Sequence, residues 1–196
     1  MGAVSDAKAK SEALDNETST TVVGKLESVI YARLAPGADL YRELKRICKE
    51  NGVRTGIVMT ITGGMEKATL QLLTKTISST GSPEVVEIPG PFEASGHGLR
   101  GTMRQSNSGG IFQKDEAGST YLHVHLTMTV GSGEDVKTWC GHLIEGCIVR
   151  SKHPISHFTV VIGKVAGVEL ELVADREHVM PGYPDGYRYH SLTATK

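Results

Sequence analysis

The chain has 196 residues, and its 21 basic and 22 acidic side chains give a formal net charge of −1 at neutral pH. This length suits one domain that is large enough to bury a core. The balanced charge argues against a free-standing duplex-DNA-binding protein, because such proteins commonly present a basic surface. Three cysteines are too few for a disulfide framework, so we expect a reducing compartment, the cytoplasm.

The sequence predicts a tail, a domain and an extension. Residues 1–21 are small and polar, which predicts a disordered tail, with a weak helix over Ala7–Leu14 as the alternative. They contain no apolar run typical of a signal peptide, and no segment is long and apolar enough to predict a membrane span. We expect one domain over residues 22–175 and a C-terminal extension, residues 176–196, packed on it.

The strongest helical pattern covers Asp39–Asn51. Its apolar residues recur at i, i+4, i+7 and i+8 and form one stripe: Leu40, Leu44, Ile47 and Cys48. Asp39 suits the positive end of this helix, and Gly52 is suited to terminate it. The segment therefore predicts one amphipathic helix that packs on a core.

Apolar or β-branched segments bounded by glycine, proline and polar residues predict strands for most of the remaining chain. We expect Gly63-Gly64 to end one strand before the next begins at Ala68. One helix among nine or ten strands predicts an α+β fold with a mostly antiparallel sheet. The predicted strands are Val22–Leu34, Gly56–Thr62, Ala68–Thr76, Glu84–Ile88, Phe92–Ser95, Leu99–Gln105, Tyr121–Val130, Val136–Val149, Phe158–Val165 and Val168–Val173.

The segment Tyr121–Val130 alternates without a break between apolar and polar residues, which predicts a strand with one face in the core. His123 and His125 fall on the other face, with roughly 7 Å between their Cα atoms. The turn-forming residues 131–135 predict an antiparallel hairpin, whose second strand carries His142. The pattern therefore places three histidines on neighbouring strands.

Three imidazoles that leave one coordination position open are typical of a catalytic zinc site. We therefore predict a metal site at His123, His125 and His142. A solvated sheet face that carries unrelated histidines is the alternative interpretation. Cys140, two residues before His142, is either a fourth ligand that closes the site or a small buried residue, and we favour the buried residue.

Two further residues are candidates for chemistry. Glu93, in a predicted strand, can act as a general base beside a metal-bound water, or can be an ordinary ion-pairing residue. Arg176 can bind an anionic substrate, or can be solvated in a charged run. The segment 96–101 matches G-x-G-x-x-G, but no helical pattern follows it, which excludes a dinucleotide fingerprint. We interpret the other histidines as surface or supporting groups: His97, His153, His157, His178 and His190.

Several motifs follow one another in a characteristic order. They are Arg33-Leu34-x-Pro36-Gly37-x-Asp39-Leu40, Thr62-Gly63-Gly64, Ala68-Thr69-Leu70, Glu93-x-Ser95, Leu99-x-Gly101, Leu122-His123-Val124-His125 and Gly141-His142-Leu143-x-x-Gly146. Together they resemble the plant and prokaryote conserved (PPC) domain over about residues 22–175. The last two motifs are the most specific part of the resemblance.

The resemblance implies an α+β fold, with a helix packed on one antiparallel sheet, and assembly as a homotrimer. In non-plant members, the histidines that match His123, His125 and His142 look like a metal site, usually taken as zinc. Plant members are nuclear DNA-binding proteins with an AT-hook, R-G-R-P, and without these histidines. This chain has no such hook, so it resembles the metal-keeping branch. It departs from the pattern at Gly96-His97-Gly98, which looks inserted, and at Cys140, where glycine is usual.

Together these features predict a metal-dependent enzyme, of hydrolase or lyase type, that acts on a small polar metabolite. Two other functions stay open: a DNA-associated regulatory protein with a structural metal, and a non-catalytic metabolite-binding protein. Nucleic acid and membrane are not expected partners. The sequence does not identify a substrate.

Overall fold

A computed structural model describes residues 19–72, 84–106, 116–150, 157–175 and 187–195. These residues form one nine-stranded sheet and a single α-helix, so the predicted α+β fold is confirmed. The elements are β1 Lys25–Arg33, α1 Leu40–Glu50, β2 Gly56–Leu72, β3 Glu84–Met103, β4 Thr120–Val130, a short 3-10 turn Gly133–Asp135, β5 Lys137–Leu143, β6 Ile148–Val149, β7 Thr159–Ala166, β8 Val168–Asp175 and β9 Tyr187–Ala194. None of the helical residues in this part of the chain forms a segment long and apolar enough to cross a bilayer.

Helix α1 begins at the predicted place. The Asp39 side chain caps it by accepting a hydrogen bond from the backbone N–H of Arg42 at 3.1 Å. The second carboxylate oxygen of Asp39 accepts the backbone N–H of Gly146 at 2.7 Å. One side chain therefore joins the start of the helix to the turn that follows β5. The apolar stripe of the helix is buried against the sheet, as predicted.

Strand β2 continues through Gly63-Gly64, so the predicted break there is wrong. Gly63 pairs with Ala94 on β3, and a Cβ atom at Gly63 would lie 2.5 Å from the carbonyl oxygen of His157. Glycine is required here because another part of the backbone passes close to the strand, and no chain reversal occurs.

Strand β3 is also continuous where three short strands were predicted. The register between β2 and β3 shifts beside Glu66, and Gly90-Pro91 lies at this irregularity. Proline has no N–H to donate, and a bulge is a position where none is needed. The predicted strand Val136–Val149 is wrong in the opposite sense, because a turn at Gly146 divides it into β5 and β6.

Four strands close on one another around part of the core. β2 pairs with β3, β3 with β4 and β4 with β5, and β5 returns to β2 through Leu70 and Gln71. Among the described strands, every pairing is antiparallel except that of β3 with β8. Trp139 of β5 pairs with Met128 of β4 and packs against the core. The closed arrangement fixes β4 and β5, the two strands that carry the predicted ligands.

Candidate metal centre

The register of three strands brings histidines into one row. On β4, His125 lies directly opposite His142 of β5 and, on its other side, directly opposite His97 of β3. His123 lies two residues before His125, so it points to the same face of the sheet. The alternate residues of the strand, Leu122 and Val124, are buried in the core. The predicted hairpin therefore places all three predicted ligands on one face.

The three imidazoles are close enough to share one ion. Ring centroids lie 5.2 Å apart for His123 and His125, 5.3 Å for His123 and His142, and 5.6 Å for His125 and His142. One nitrogen of each ring lies within 4.8 Å of the other two. Zinc–nitrogen bonds of about 2.1 Å place tetrahedral ligand atoms about 3.4 Å apart, a change that small side-chain rotations can supply. The residues present therefore fit a metal ion.

Burial keeps the three rings neutral at physiological pH. Burial, together with a smaller effect of the neighbouring histidines, lowers the pKa of His142 and of His123 from 6.5 to about 4. Burial also lowers the pKa of His125, with a further contribution from His97. A neutral imidazole offers the nitrogen lone pair that a metal needs, so the cluster is in the protonation state of a ligand set.

A fourth histidine supports the cluster from β9. The His190 ring lies 5.2 Å from the His123 ring, edge to face. His190 Nε2 and the Tyr121 hydroxyl are 2.9 Å apart and share a hydrogen bond, and burial raises the pKa of this phenol. His190 was predicted only as a surface or supporting group. Its position depends on the pairing of β9 with β8, which no local sequence pattern reveals.

Two glycines allow β3 to approach the histidine strand. A Cβ atom at Gly96 would lie 2.6 Å from the carbonyl oxygen of His125, and one at Gly98 would overlap the carbonyl oxygen of His123. The segment 96–101, which matches G-x-G-x-x-G, lies inside β3. The glycines flanking His97 therefore have a packing role beside the histidine cluster.

Of the other two predicted site residues, only Glu93 is described, and it does not lie at this cluster. Glu93 lies opposite Thr129, four residues along β3 from His97, or about 13 Å at the usual strand rise. Its carboxylate instead lies beside Gly64. Arg176 lies outside the described residues, and so do His153 and His178.

Cys140 is exposed, so the interpretation of a small buried residue is wrong. The reason is its register: it lies opposite Thr127, an exposed residue of β4 on the face that also carries the histidines, the outer face of the sheet. It is not part of the ligand group found among the described residues. His157, another predicted surface group, is exposed just before β7.

The fold and the cluster together define a class of protein: a small α+β domain whose mostly antiparallel sheet carries three histidines close enough together to hold a metal ion. The model of the Plants and Prokaryotes Conserved (PCC) domain matches residues 21–159. The chain belongs to this family, the one that the sequence motifs resemble.

Comparison with solved structures supports the same fold. A metal-containing protein from Archaeoglobus fulgidus superposes with a TM-score of 0.60 at 17% identity, covering 81% of this chain and 94% of that one. A proposed DNA-binding protein from Ralstonia eutropha JMP134 superposes with a TM-score of 0.57 at 15% identity, covering 83% and 90%. At these identities the likeness concerns the fold alone.

A curated relative is much longer. The bifunctional protein GlmU of a Synechococcus strain is 28% identical over 119 residues, which is 60% of this chain. The chain spans only 14% of the length of that protein.

Proposed function

We propose that this protein binds one divalent transition-metal ion through His123, His125 and His142. The observation that carries the proposal is the convergence of three neutral imidazoles from two adjacent strands, with ligand nitrogens within 4.8 Å of one another. The metal content of the Archaeoglobus fulgidus protein, which shares the fold, agrees with it. Zinc is the ion that we propose, because tetrahedral nitrogen coordination suits it.

We further propose that the protein is an enzyme, a hydrolase or lyase for a small polar metabolite. Three protein ligands leave one position of a tetrahedral ion for water or substrate, whereas a structural site commonly has four. A metal with an open position acidifies water or polarises a substrate oxygen. Glu93 lies about 13 Å along β3 from His97, the residue opposite His125, which is too far for a general base that acts on the same cluster. We therefore expect Glu93 to take part only in a site that several subunits form together.

Self-association as a homotrimer is the proposed assembly. One row of paired residues crosses the outer face of the sheet from β1 to β4. In order along β1, β7, β2, β3 and β4, it consists of Val29, Gly163, Ile57, Leu99 and His123. The valine, isoleucine and leucine of this row are exposed. Tyr31, Met59 and Leu26 enlarge the apolar surface. A contiguous exposed apolar surface is typical of an interface, and further copies of this chain covering it would exclude water from the histidines.

A DNA-associated regulatory role is the second candidate, and the fold shared with the Ralstonia eutropha protein favours it. The net charge of −1 argues against it. In that case the metal would only stabilise the fold.

One comparison distinguishes the two functions. We would purify the wild-type protein and His125→Ala without chelator, and measure bound metal, thermal stability, turnover of a metabolite panel and duplex-DNA binding at physiological salt. The enzyme requires that His125→Ala folds but loses turnover. Loss of stability without activity in either form would indicate a structural metal, and tight DNA binding that survives the substitution would favour the regulator.

Light scattering tests the assembly. The trimer predicts three times the mass of the chain for the wild-type protein, and a smaller mass for Ile57→Lys. A monomeric wild-type protein would contradict it.

A further inference from the structure

A second polar site lies on the opposite face of β3 from the histidines. Arg100 follows Leu99, the residue opposite His123, so its side chain points to the other face of the sheet. It lines a cleft of about 680 Å³ between the C-terminal half of α1 and residues 116–120. Arg100 is only 6% exposed, which is unusual for an arginine.

The Arg100 guanidinium is only partly satisfied. Its Nη1 atom donates to the carbonyl oxygen of Arg54 and, at 3.2 Å, to the hydroxyl of Thr102. Its Nη2 atom donates to the hydroxyl of Thr120 at 3.2 Å. Its Nε atom is buried without a hydrogen-bond partner among the described residues. All three acceptors are neutral, so the charge itself is not balanced by them.

No described carboxylate lies within ion-pairing distance of Arg100. Two titratable groups act on it, Cys48 and Arg54. Burial raises the pKa of the Cys48 thiol to about 11, so the thiol is neutral at physiological pH, and Arg54 is a second cation, paired with Glu169. A buried cation without a counter-ion is costly, and an anion that neutralises it removes much of that cost.

The rest of the cleft favours an anion too. Lys49 is exposed at its edge, and Ser119, another lining residue, has a buried hydroxyl without a partner among the described residues. Glu116 is the one acidic residue that lines the cleft in the described part of the chain. Three of the last carbonyls of α1 already have partners: those of Ile47, Lys49 and Cys48 accept the backbone N–H groups of Asn51, Gly52 and Val53, respectively.

We propose that this cleft binds the phosphate group of a small phosphorylated metabolite. The guanidinium Nε–H, the Ser119 hydroxyl and the exposed Lys49 ammonium are three donors of the kind that phosphate oxygens accept. The first two have almost no accessible surface, so their side chains must rotate toward the cleft when the ion binds. The volume of the cleft exceeds that of a phosphate ion, which leaves room for the organic part of the ligand. This site does not depend on the metal centre, because it lies on the other face of the sheet.

Calorimetric titration with inorganic phosphate tests the proposal, using full-length protein kept in EDTA so that no metal binds the anion. We expect saturable binding of one phosphate per chain at millimolar concentration. Lys49→Glu and Arg100→Met each remove a charge-assisted hydrogen bond, so each should weaken binding about tenfold or more. Ser119→Ala should weaken it less, because its hydrogen bond is neutral on the protein side.

Lys137→Glu is the matched control, since it makes the same charge change at an exposed position of β5. It should leave the affinity for phosphate unchanged. Equal weakening by Lys137→Glu and Lys49→Glu would overturn the proposal in favour of general electrostatic attraction, and so would the absence of saturable binding. Duplex-DNA binding that is lost in Lys49→Glu, without any phosphate binding, would assign the cleft to nucleic acid instead. If Arg100→Met does not fold, Lys49→Glu and Ser119→Ala still decide between these results.

Discussion

His125 on β4 and His142 on β5 are direct partners across the hairpin, with ring centroids 5.6 Å apart and ring planes at 83° to each other. An ion bound by both rings connects the two strands through their side chains as well as through the backbone. Because the unfolded chain does not hold these residues together, metal binding should raise the free energy of unfolding.

Removal of one ligand should abolish metal binding. We expect His142→Ala to reduce the bound metal from one equivalent to a trace, because two imidazoles on one strand hold an ion weakly without the third. Elemental analysis of protein purified without chelator measures this. His157→Ala is the control, since this histidine is exposed and lies outside the cluster. Equal metal contents in the two variants would rule out the site.

The metal-free protein should lose stability in acid. The folded-state pKa values of His123 and His142 are about 4, below the ordinary 6.5 of an unfolded chain. Between these values the unfolded state binds more protons, so the free energy of unfolding should fall as the pH is lowered from about 6.5 to about 4.

Urea unfolding in EDTA across this pH range measures the effect. His142→Gln carries no titrating ring at this position, so its stability should depend less steeply on pH. An identical slope in the two proteins would show that the acid sensitivity arises elsewhere.

Asp39 should contribute more than an ordinary helix cap. Asp39→Ala removes the acceptors of both Arg42 and Gly146, and we expect it to lower the free energy of unfolding by about 1–3 kcal/mol. Asp39→Asn keeps one acceptor oxygen and should lose less. Chemical denaturation measures both, with Asp135→Ala in the exposed turn as the control. A loss for Asp39→Asn as large as for Asp39→Ala would contradict the two-acceptor role.

Gly98 should not tolerate a side chain. A Cβ atom there would overlap the carbonyl oxygen of His123 and lie 2.6 Å from Cα of Val124. We expect Gly98→Ala to destabilise the protein by about 1–3 kcal/mol, because the backbone atoms must move apart. Thr127→Ala, at an exposed position of β4, should cost less in the same urea titration. A neutral Gly98→Ala would show that β3 and β4 can separate freely.

The sequence predicted the elements that have a regular pattern. The period-two alternation of Tyr121–Val130 predicted β4 almost to its ends, and the apolar stripe predicted α1. It did not predict the length of β2 and β3, because glycine and proline are normally read as breaks. At Gly63 and Gly90-Pro91 the decisive contacts come from distant parts of the chain, which local patterns do not contain.

The residues of the candidate site also divide into those that a local pattern predicts and those that only long-range packing places. His123, His125 and His142 could be predicted because a single hairpin carries them. His190 could not be placed, because its contact with Tyr121 requires β8 and β9 to return to this face. The sequence did not predict a role for Arg100 either, because its burial without a neighbouring carboxylate depends on how distant parts of the chain pack.

Trp139 is the only tryptophan of the chain and lies three residues before His142 on β5. Its indole is partly buried against the core, so its emission depends on the polarity of its surroundings and changes when β5 moves. The tryptophan fluorescence of the unmodified protein therefore comes from a single position, on the strand that carries His142. The molecule carries its own optical probe for titrations of ions into the histidine cluster, and no label is needed to follow them.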